Sequence, residues 1–305
     1  MAAGEFLVEA DDGVLEPSSP GRLADALTLL YANKIGFAGA ILTVFVLGVG
    51  AVGSVLLLTP SLHHLYLNQN LSQALLSPAT QGHLLGTDQY GRDLLWRAVA
   101  GTGISLLVGV LTTAGTLILG LLFGLISGYY GGGSDTVIRG LIDLTWGFPL
   151  LLVAVVYAGI FGPGLRPVIL ALGTVIWAGF ARVVRAQAKT LKEREFIEAA
   201  RALGTSGPKI MVRHLIPNVF ATVLVMASYY VAIAVIAEAG FSFIGLGAQP
   251  PTPSLGQMIS DGANYWSASI WLAIVPGSMI VLIVLALNLF GDGLRDILDP
   301  RLRES

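Results

Sequence analysis

Few side chains in this 305-residue chain could do covalent or metal chemistry, and their spacing argues against both. The chain has no cysteine, which removes disulfides, thiolate metal sites and a cysteine nucleophile. His63 and His64 stand side by side, His83 follows, and His214 lies far along the chain. Adjacent histidines rarely chelate one ion without further ligands, and no carboxylate cluster accompanies them, so all four read as solvated or interfacial, with no metal site. The nearest approach to a phosphate-cradling GxxxxGK[ST] loop is GTSGPK at 204–209, which lacks both the glycine spacing and the final hydroxyl residue. Such a chain cannot hydrolyse ATP by itself. GFSFIG at 240–245 holds a serine among glycines without the GxSxG pattern, and neither HExxH nor catalytically spaced carboxylates occur, which disfavours an enzyme.

The carboxylates that remain are interesting for their surroundings. Asp143 and Glu238 lie in or beside apolar runs, where an ionisable group is costly and therefore a functional candidate. Asp143 follows Arg139 by one helical turn, so an ion pair with it is the plain reading and a gate the sharper one. Glu238, with Tyr229 and Tyr230 nearer the middle of the same run, is a candidate to face a polar cavity, to line a path, or to pair with a second subunit. Asp88, Arg92 and Asp93 in GTDQYGRD are close enough for a local salt-bridged turn.

The elements that must position these groups are set by composition. Apolar residues make up 54% of the chain, charged residues 12%, and the mean hydropathy is +0.77, which points to lipid as the solvent. A helix crossing the hydrocarbon core needs about 20 mostly apolar residues. Six such runs can be drawn, at roughly 35–58, 101–128, 144–161, 165–181, 219–243 and 268–291, the third and fourth being the tightest. All read as helices, because an isolated run satisfies its backbone in lipid only in that way, and the dyad alternation of barrel strands is absent. The fold class is therefore an all-α, polytopic membrane protein. Gly120, Gly124 and Gly128 in the second run repeat every four residues and suit close helix packing.

Basic residues fix the orientation. Of the 17 Lys and Arg residues, only Arg92, Arg97 and Arg166 fall outside when the N-terminus is placed in the cytosol, so both termini are expected inside. The acidic opening MAAGEFLVEADDGVLEPSSP carries no Lys or Arg, reads as a disordered cytoplasmic tail rather than a signal peptide, and with residues up to 34 forms the N-terminal tail and a short amphipathic segment. A membrane domain of 35–300 follows, with an outer loop at about 59–100, a cytoplasmic loop at about 186–217, and a C-terminal tail of 301–305. The net charge of −2 is too small to suggest nucleic acid as a partner.

The cytoplasmic loop is the unusual part. In KEREFIEAARALG (192–204), Phe196, Ile197, Ala200, Leu203 and Gly204 fall on or near one helical face, and Lys192, Glu193, Glu195 and Arg201 lie mostly elsewhere. Gly204 is a natural left-handed stop, and a second helix can begin near Pro208. This helix, turn and helix, with alanines exposed, is the shape expected of a knob that inserts into a groove on another protein, with an amphipathic helix on the inner leaflet as the alternative.

A resemblance separates these readings. Glu198, Ala199, Ala200, Gly204 and then Leu215, Ile216, Pro217 resemble the EAA loop of bacterial ABC importer permeases. More narrowly, LGTDQYGRDLLWR (85–97), SGYYGGGSDTVIRGLIDLTWGFP (127–149), WAGFARVVRAQ (177–187), FSFIGLGAQPPTPSLGQMI (241–259) and NLFGDGLRDILDPRLR (288–303) are similar to the second permease subunit of dipeptide, oligopeptide and nickel importers. The resemblance implies a type I importer permease fold of six transmembrane helices in a bacterial cytoplasmic membrane. It implies ATPase coupling through Glu198, Ala199, Ala200, Leu203 and Gly204. The implied partners are a homologous second permease subunit, two ATP-binding subunits that carry the ATP and magnesium, and an extracytoplasmic substrate-binding protein. The cargo would be di- or oligopeptides, with nickel, a glycan or a peptide-like antibiotic as alternatives. A secondary transporter working alone would favour inverted repeats, broken helices and buried acidic residues for ion coupling; Pro149 and Pro276 are candidates to break helices, but no repeat is seen, and the EAA-like loop would go unexplained.

Overall fold

The computed structural model describes residues 34–298, so the expected acidic tail at the N-terminus and the last residues of the chain lie outside the described residues. Among these the regular structure is helical. In chain order the longer helices are α1 (Lys34–Leu58), α2 (Leu94–Tyr130), α3 (Gly132–Gly147), α4 (Leu150–Phe161), α5 (Leu165–Leu191), α6 (Glu195–Ala202), α7 (Gly207–Phe243), α8 (Leu255–Ala263) and α9 (Trp271–Leu298).

Five of them, α1, α2, α5, α7 and α9, are each long and apolar enough to cross a membrane. The expected third span at 144–161 is different. It begins at Gly132, breaks after Gly147, and continues as α4 at an angle of 85°. Pro149 is the physical reason: its ring disfavours helical geometry in the residue before it, and Phe148 accordingly takes φ −84°, ψ 128°. At about 1.5 Å per residue, α4 alone is only about 18 Å long, short of a hydrocarbon core of about 30 Å. Pro276, by contrast, is absorbed within α9.

The outward faces carry large aliphatic and aromatic side chains such as Val44, Ile118, Ile160 and Phe220, all more than half exposed. A helix that is apolar on its solvent side is stable only against lipid or a partner.

The bundle is organised on α2 and α5. Gly120, Gly124 and Gly128 form a ladder against Phe180, Ala181, Val184, Arg185 and Ala188 of α5. A Cβ at Gly124 would come within 2.8 Å of the Ala181 carbonyl, and one at Gly128 within 2.6 Å of the Ala188 Cβ. Phe180, Val184 and Ala188, all fully buried, join Leu125, Val219 and Val223 in one core cluster. A second cluster joins α1 and α9 to α2 through Val46, Leu106, Ile283 and Leu287. There Thr43 donates to the Ala286 carbonyl at 2.9 Å.

Glu238 ties α8 to the bundle. Its carboxylate is fully buried and accepts from Ser105 of α2 (2.8 Å), Ser242 of its own helix (2.7 Å) and Ser254, the N-cap residue of α8 (3.2 Å). Gly256 of α8 lies so close to the Ala239 carbonyl that no Cβ fits.

Two outcomes follow from this packing. Gly124→Val should lower the thermal unfolding midpoint in detergent, at an overpacking cost of about 1–3 kcal/mol. Gly115→Ala on the same helix, where a Cβ would meet nothing within 4 Å, should not lower it; equal midpoints for the two variants would mean that the ladder is not tight. Glu238→Leu, which strips three buried hydroxyls of their acceptor, should destabilise more than Glu238→Gln, which keeps one acceptor oxygen, and the reverse order would refute the tie.

Candidate functional site

At the end of the bundle that the basic residues mark as cytoplasmic, α5 runs on to Leu191, ten residues beyond the expected end of the fourth span. Only Lys192–Arg194 separate it from α6. α6 ends as its sequence dictates: Gly204 takes φ 77°, its N–H donates to the Arg201 carbonyl, and the Thr205 N–H donates to the Ala200 carbonyl at 3.0 Å. Pro208 then occupies the first turn of α7, where its missing N–H costs nothing.

The faces of α6 divide differently from the expectation. Ile197 and Ala200 are buried, in the same core cluster as Ile210 and Leu215 of α7 and Leu125 of α2. Phe196, Ala199 and Leu203 point outward, Leu203 being 86% exposed. The spacing contains two short apolar stripes, one at 197 and 200 that anchors the helix and one at 196, 199 and 203 that has no cover among the described residues. Ala200 is therefore an anchor, and Phe196, which lies beside His214 with 6.2 Å between ring centroids, is an exposed residue that the expected site omitted. Glu198 is exposed.

Two open clefts flank α6. One, of about 370 Å³, is lined by Tyr129, Tyr130, Lys192, Glu193, Glu198 and Arg201. The other, of about 730 Å³, is lined by Leu191, Glu193, Arg194, Glu195, Phe196 and Asn218. The floor is firm. Gly207 abuts Tyr129 and Tyr130, where a Cβ would lie 3.0 Å from a ring carbon of Tyr129 and 2.9 Å from the Tyr130 hydroxyl. α7 also widens into a π turn at Met211–Leu215, just before Pro217, whose ring would press on the carbonyl of Arg213 in a regular α-helix. The Asn218 side chain donates to the His214 carbonyl at 2.7 Å.

Asp143 does not pair with Arg139. Its partner is Arg182 of α5, at 3.3 Å, and that guanidinium also lies 4.0 Å over the Trp146 ring. An arginine four residues before an acid is the less favourable order on a helix, and α3 instead turns Asp143 toward its neighbour. The pair is largely exposed. Glu238 is fully buried and enclosed by its three serines, as described above. Tyr229 reaches across to α9, its hydroxyl donating to Asp292 at 2.5 Å. The sites expected at 143, 229 and 238 thus lie apart and form no single constellation.

The opposite end of the bundle, which the charge bias assigns to the outside, holds a compact ionic cluster. Asp88 accepts from the Tyr90 and Arg92 N–H groups, both at 2.9 Å, and from Arg92 Nε at 2.6 Å, with Arg97 Nε at 3.4 Å. The local turn is there, but it reaches farther than GTDQYGRD suggests. His83, expected to be solvated, bonds through Nδ1 to Asp93 at 2.7 Å, and Asp93 caps α2 at the Trp96 N–H. On α8, burial pushes the Asp261 carboxyl above its usual range, while Arg97 and Arg92 pull it back down.

The known proteins that this chain resembles agree with one another. Residues 120–304 match the family model described as binding-protein-dependent transport system inner membrane component. The chain is 38% identical over 286 residues to a dipeptide transport system permease protein, DppC, of Alkalihalophilus pseudofirmus, covering 93% of this chain and 91% of that one. It is 34% identical over 303 residues to the oligopeptide transport system permease protein OppC of Haemophilus influenzae, covering 97% and 95%. Among solved structures, a chain of the MetNI methionine ABC transporter in an inward-facing conformation superposes with a TM-score of 0.54 at 19% identity, covering 68% of this chain and 98% of that one, which shows a shared fold. A bundle of apolar helices matched over more than half its length by that family model belongs to the binding-protein-dependent transport system inner membrane components: this chain is a multi-pass ABC importer permease subunit with the type I fold.

Proposed function

We propose that this chain forms, with a homologous second permease subunit, the path by which di- or oligopeptides enter a bacterial cell across its cytoplasmic membrane. An extracytoplasmic binding protein delivers the cargo to the outer end. Two cytoplasmic ATP-binding subunits, which hold the ATP and magnesium, drive the cycle. The peptide cargo is supported by the relatives named for dipeptide and oligopeptide transport, which cover nearly all of this chain.

The observation that carries the coupling role is the uncovered apolar stripe of α6. Phe196, Ala199 and Leu203 stand out from a short helix that Ile197 and Ala200 pin to the bundle, with a cleft on either side. A rigid helix that exposes an apolar ridge fits a groove in a partner, and its burial there supplies docking energy. Gly204 keeps the helix short, because only a residue tolerant of positive φ ends it at that point. Glu198 sits on the exposed face beside Arg201 in the lining of one cleft, where a partner's charge can meet it. The change between inward and outward openings is then a shift between two packings of one bundle, biased by the ATPases.

The test is purification of the tagged chain from its own membranes in mild detergent, with every accompanying subunit identified. A sister permease and ATPases are expected, and a lone homomer would refute the proposal. Leu203→Asp should remove a central docking contact, costing on the order of 2 kcal/mol, or about 30-fold in affinity, and should release the ATPases while the chain stays inserted. Gly204→Trp should leave ATP hydrolysis uncoupled from uptake. Normal uptake of a labelled dipeptide by both variants would refute the assignment of α6.

A further inference from the structure

We propose that α3 travels with α5 as one body during transport, and that Asp135 is the positioning residue that holds it there, so that displacement of α6 reaches the bent α3–α4 segment. The inference rests on the coupling role proposed above for α6.

The geometry starts from the short link between α5 and α6. Leu191 at the end of α5 packs against the core cluster, so a push on α6 is delivered to the last turns of α5 with little slack. On those turns Arg185 grips Asp135 of α3 with both arms of its guanidinium, Nε to Oδ1 at 2.5 Å and Nη2 to Oδ2 at 2.8 Å. Lys189 Nζ stands 3.5 Å from the same Oδ2, and the Ser127 hydroxyl of α2 donates to Oδ1 at 2.5 Å. Side chains of Asp135 and Arg185 are mostly buried, at 13% and 18% exposed, so the pair is better shielded than a surface ion pair and its two parallel bonds fix orientation as well as distance. Farther along, Ile138 and Ile142 of α3 pack with Trp177, Ala178 and Ala181 of α5, and Asp143 meets Arg182.

Both ends of α3, in contrast, are joints. Gly131 and Gly132 link it to α2 with φ of 69° and 56°, and a Cβ at Gly132 would meet nothing within 4 Å. At the other end the chain bends by 85° around Phe148 and Pro149. A segment free at both ends goes where its side contacts take it. Those contacts are three ion pairs and a hydrophobic seam, all involving α5, beside a single hydroxyl and part of the seam from α2. The bend at 147–149 lies between two halves that both rest on α5, α4 through Ala154 in the core cluster and the Tyr157 hydroxyl beside that of Thr174 at 3.1 Å, so a displacement of α5 reaches the whole bent segment.

The test uses the assembled importer in proteoliposomes. Because the chain has no cysteine, Asp143→Cys with Arg182→Cys places the introduced pair alone on this subunit, and a short bifunctional thiol reagent can bridge α3 to α5 where the exposed ion pair stood. Uptake of a radiolabelled dipeptide, and stimulation of ATP hydrolysis by the binding protein, are expected to survive bridging; loss of both, reversed by reduction of a cleavable bridge, would overturn the proposal. Asp135→Asn should leave assembly and basal ATP hydrolysis unchanged and lower uptake per ATP by about tenfold, the scale of a lost coupling contact, whereas Asp135→Glu should retain it. Normal coupling in Asp135→Asn would also overturn the proposal. Should that variant fail to assemble, the bridged pair decides alone. Failure of the α6 reading shows separately, as normal coupling in Leu203→Asp, and leaves the outcome of bridging interpretable.

Discussion

The close approach of α2 and α5 is the constraint on which the rest of this molecule depends. In lipid, apolar side chains gain nothing by leaving their solvent, so two helices stay together through van der Waals contact and backbone proximity. Three glycines at a four-residue repeat provide that proximity, because each leaves room for the backbone or a small side chain of the facing helix. The ladder runs toward the cytoplasmic end, ending opposite Ala188, one turn short of Leu191. Everything attached below it inherits its rigidity: the three-residue link, α6, and the first turn of α7 on its tyrosine floor.

Polar groups are spent at the two rims of the bundle, where they connect elements that apolar packing alone would leave loose. At the outer rim Asp88 gathers Arg92, Arg97 and the backbone of its own turn, while Asp93 caps α2 and holds His83. At the inner rim Asp135 gathers Arg185, Lys189 and Ser127. Between them Glu238 is the one fully buried carboxylate among the described residues, and its three hydroxyl donors explain how it is tolerated. Its hydroxyl partners make it a joint between α2, α7 and α8.

Much of this was legible in the sequence. Five of the six apolar runs are single long helices, because length and composition decide what a run does in lipid. The glycine period announced a packing face, and Gly204 announced a helix stop. What stayed hidden has a common cause. The partner of Asp143 lies 39 residues away and that of Asp135 lies 50, so nothing local distinguishes them from Arg139 or from solvent. The inward and outward faces of α6 were merged into one, since Phe196 and Ile197 are neighbours in sequence and only the position of the bundle says which is buried. The break in the third span was marked by Pro149, but its angle is set by how α3 and α4 each pack on α5.

The widened turn at Met211–Leu215 has a consequence for how the loop could diverge among related chains. A π turn holds one residue more than an α turn, and each residue of a regular helix advances the face by about 100°. Ile210 and Leu215, both fully buried although five residues apart, keep one face only because of that extra residue. Deleting one residue here would tighten the turn and rotate everything N-terminal to it, including α6 and its apolar ridge, by about a quarter of a turn around the axis of α7. The phase of one helix thus sets the compass bearing of the knob, and a single insertion or deletion could re-aim it without touching a residue of the knob itself.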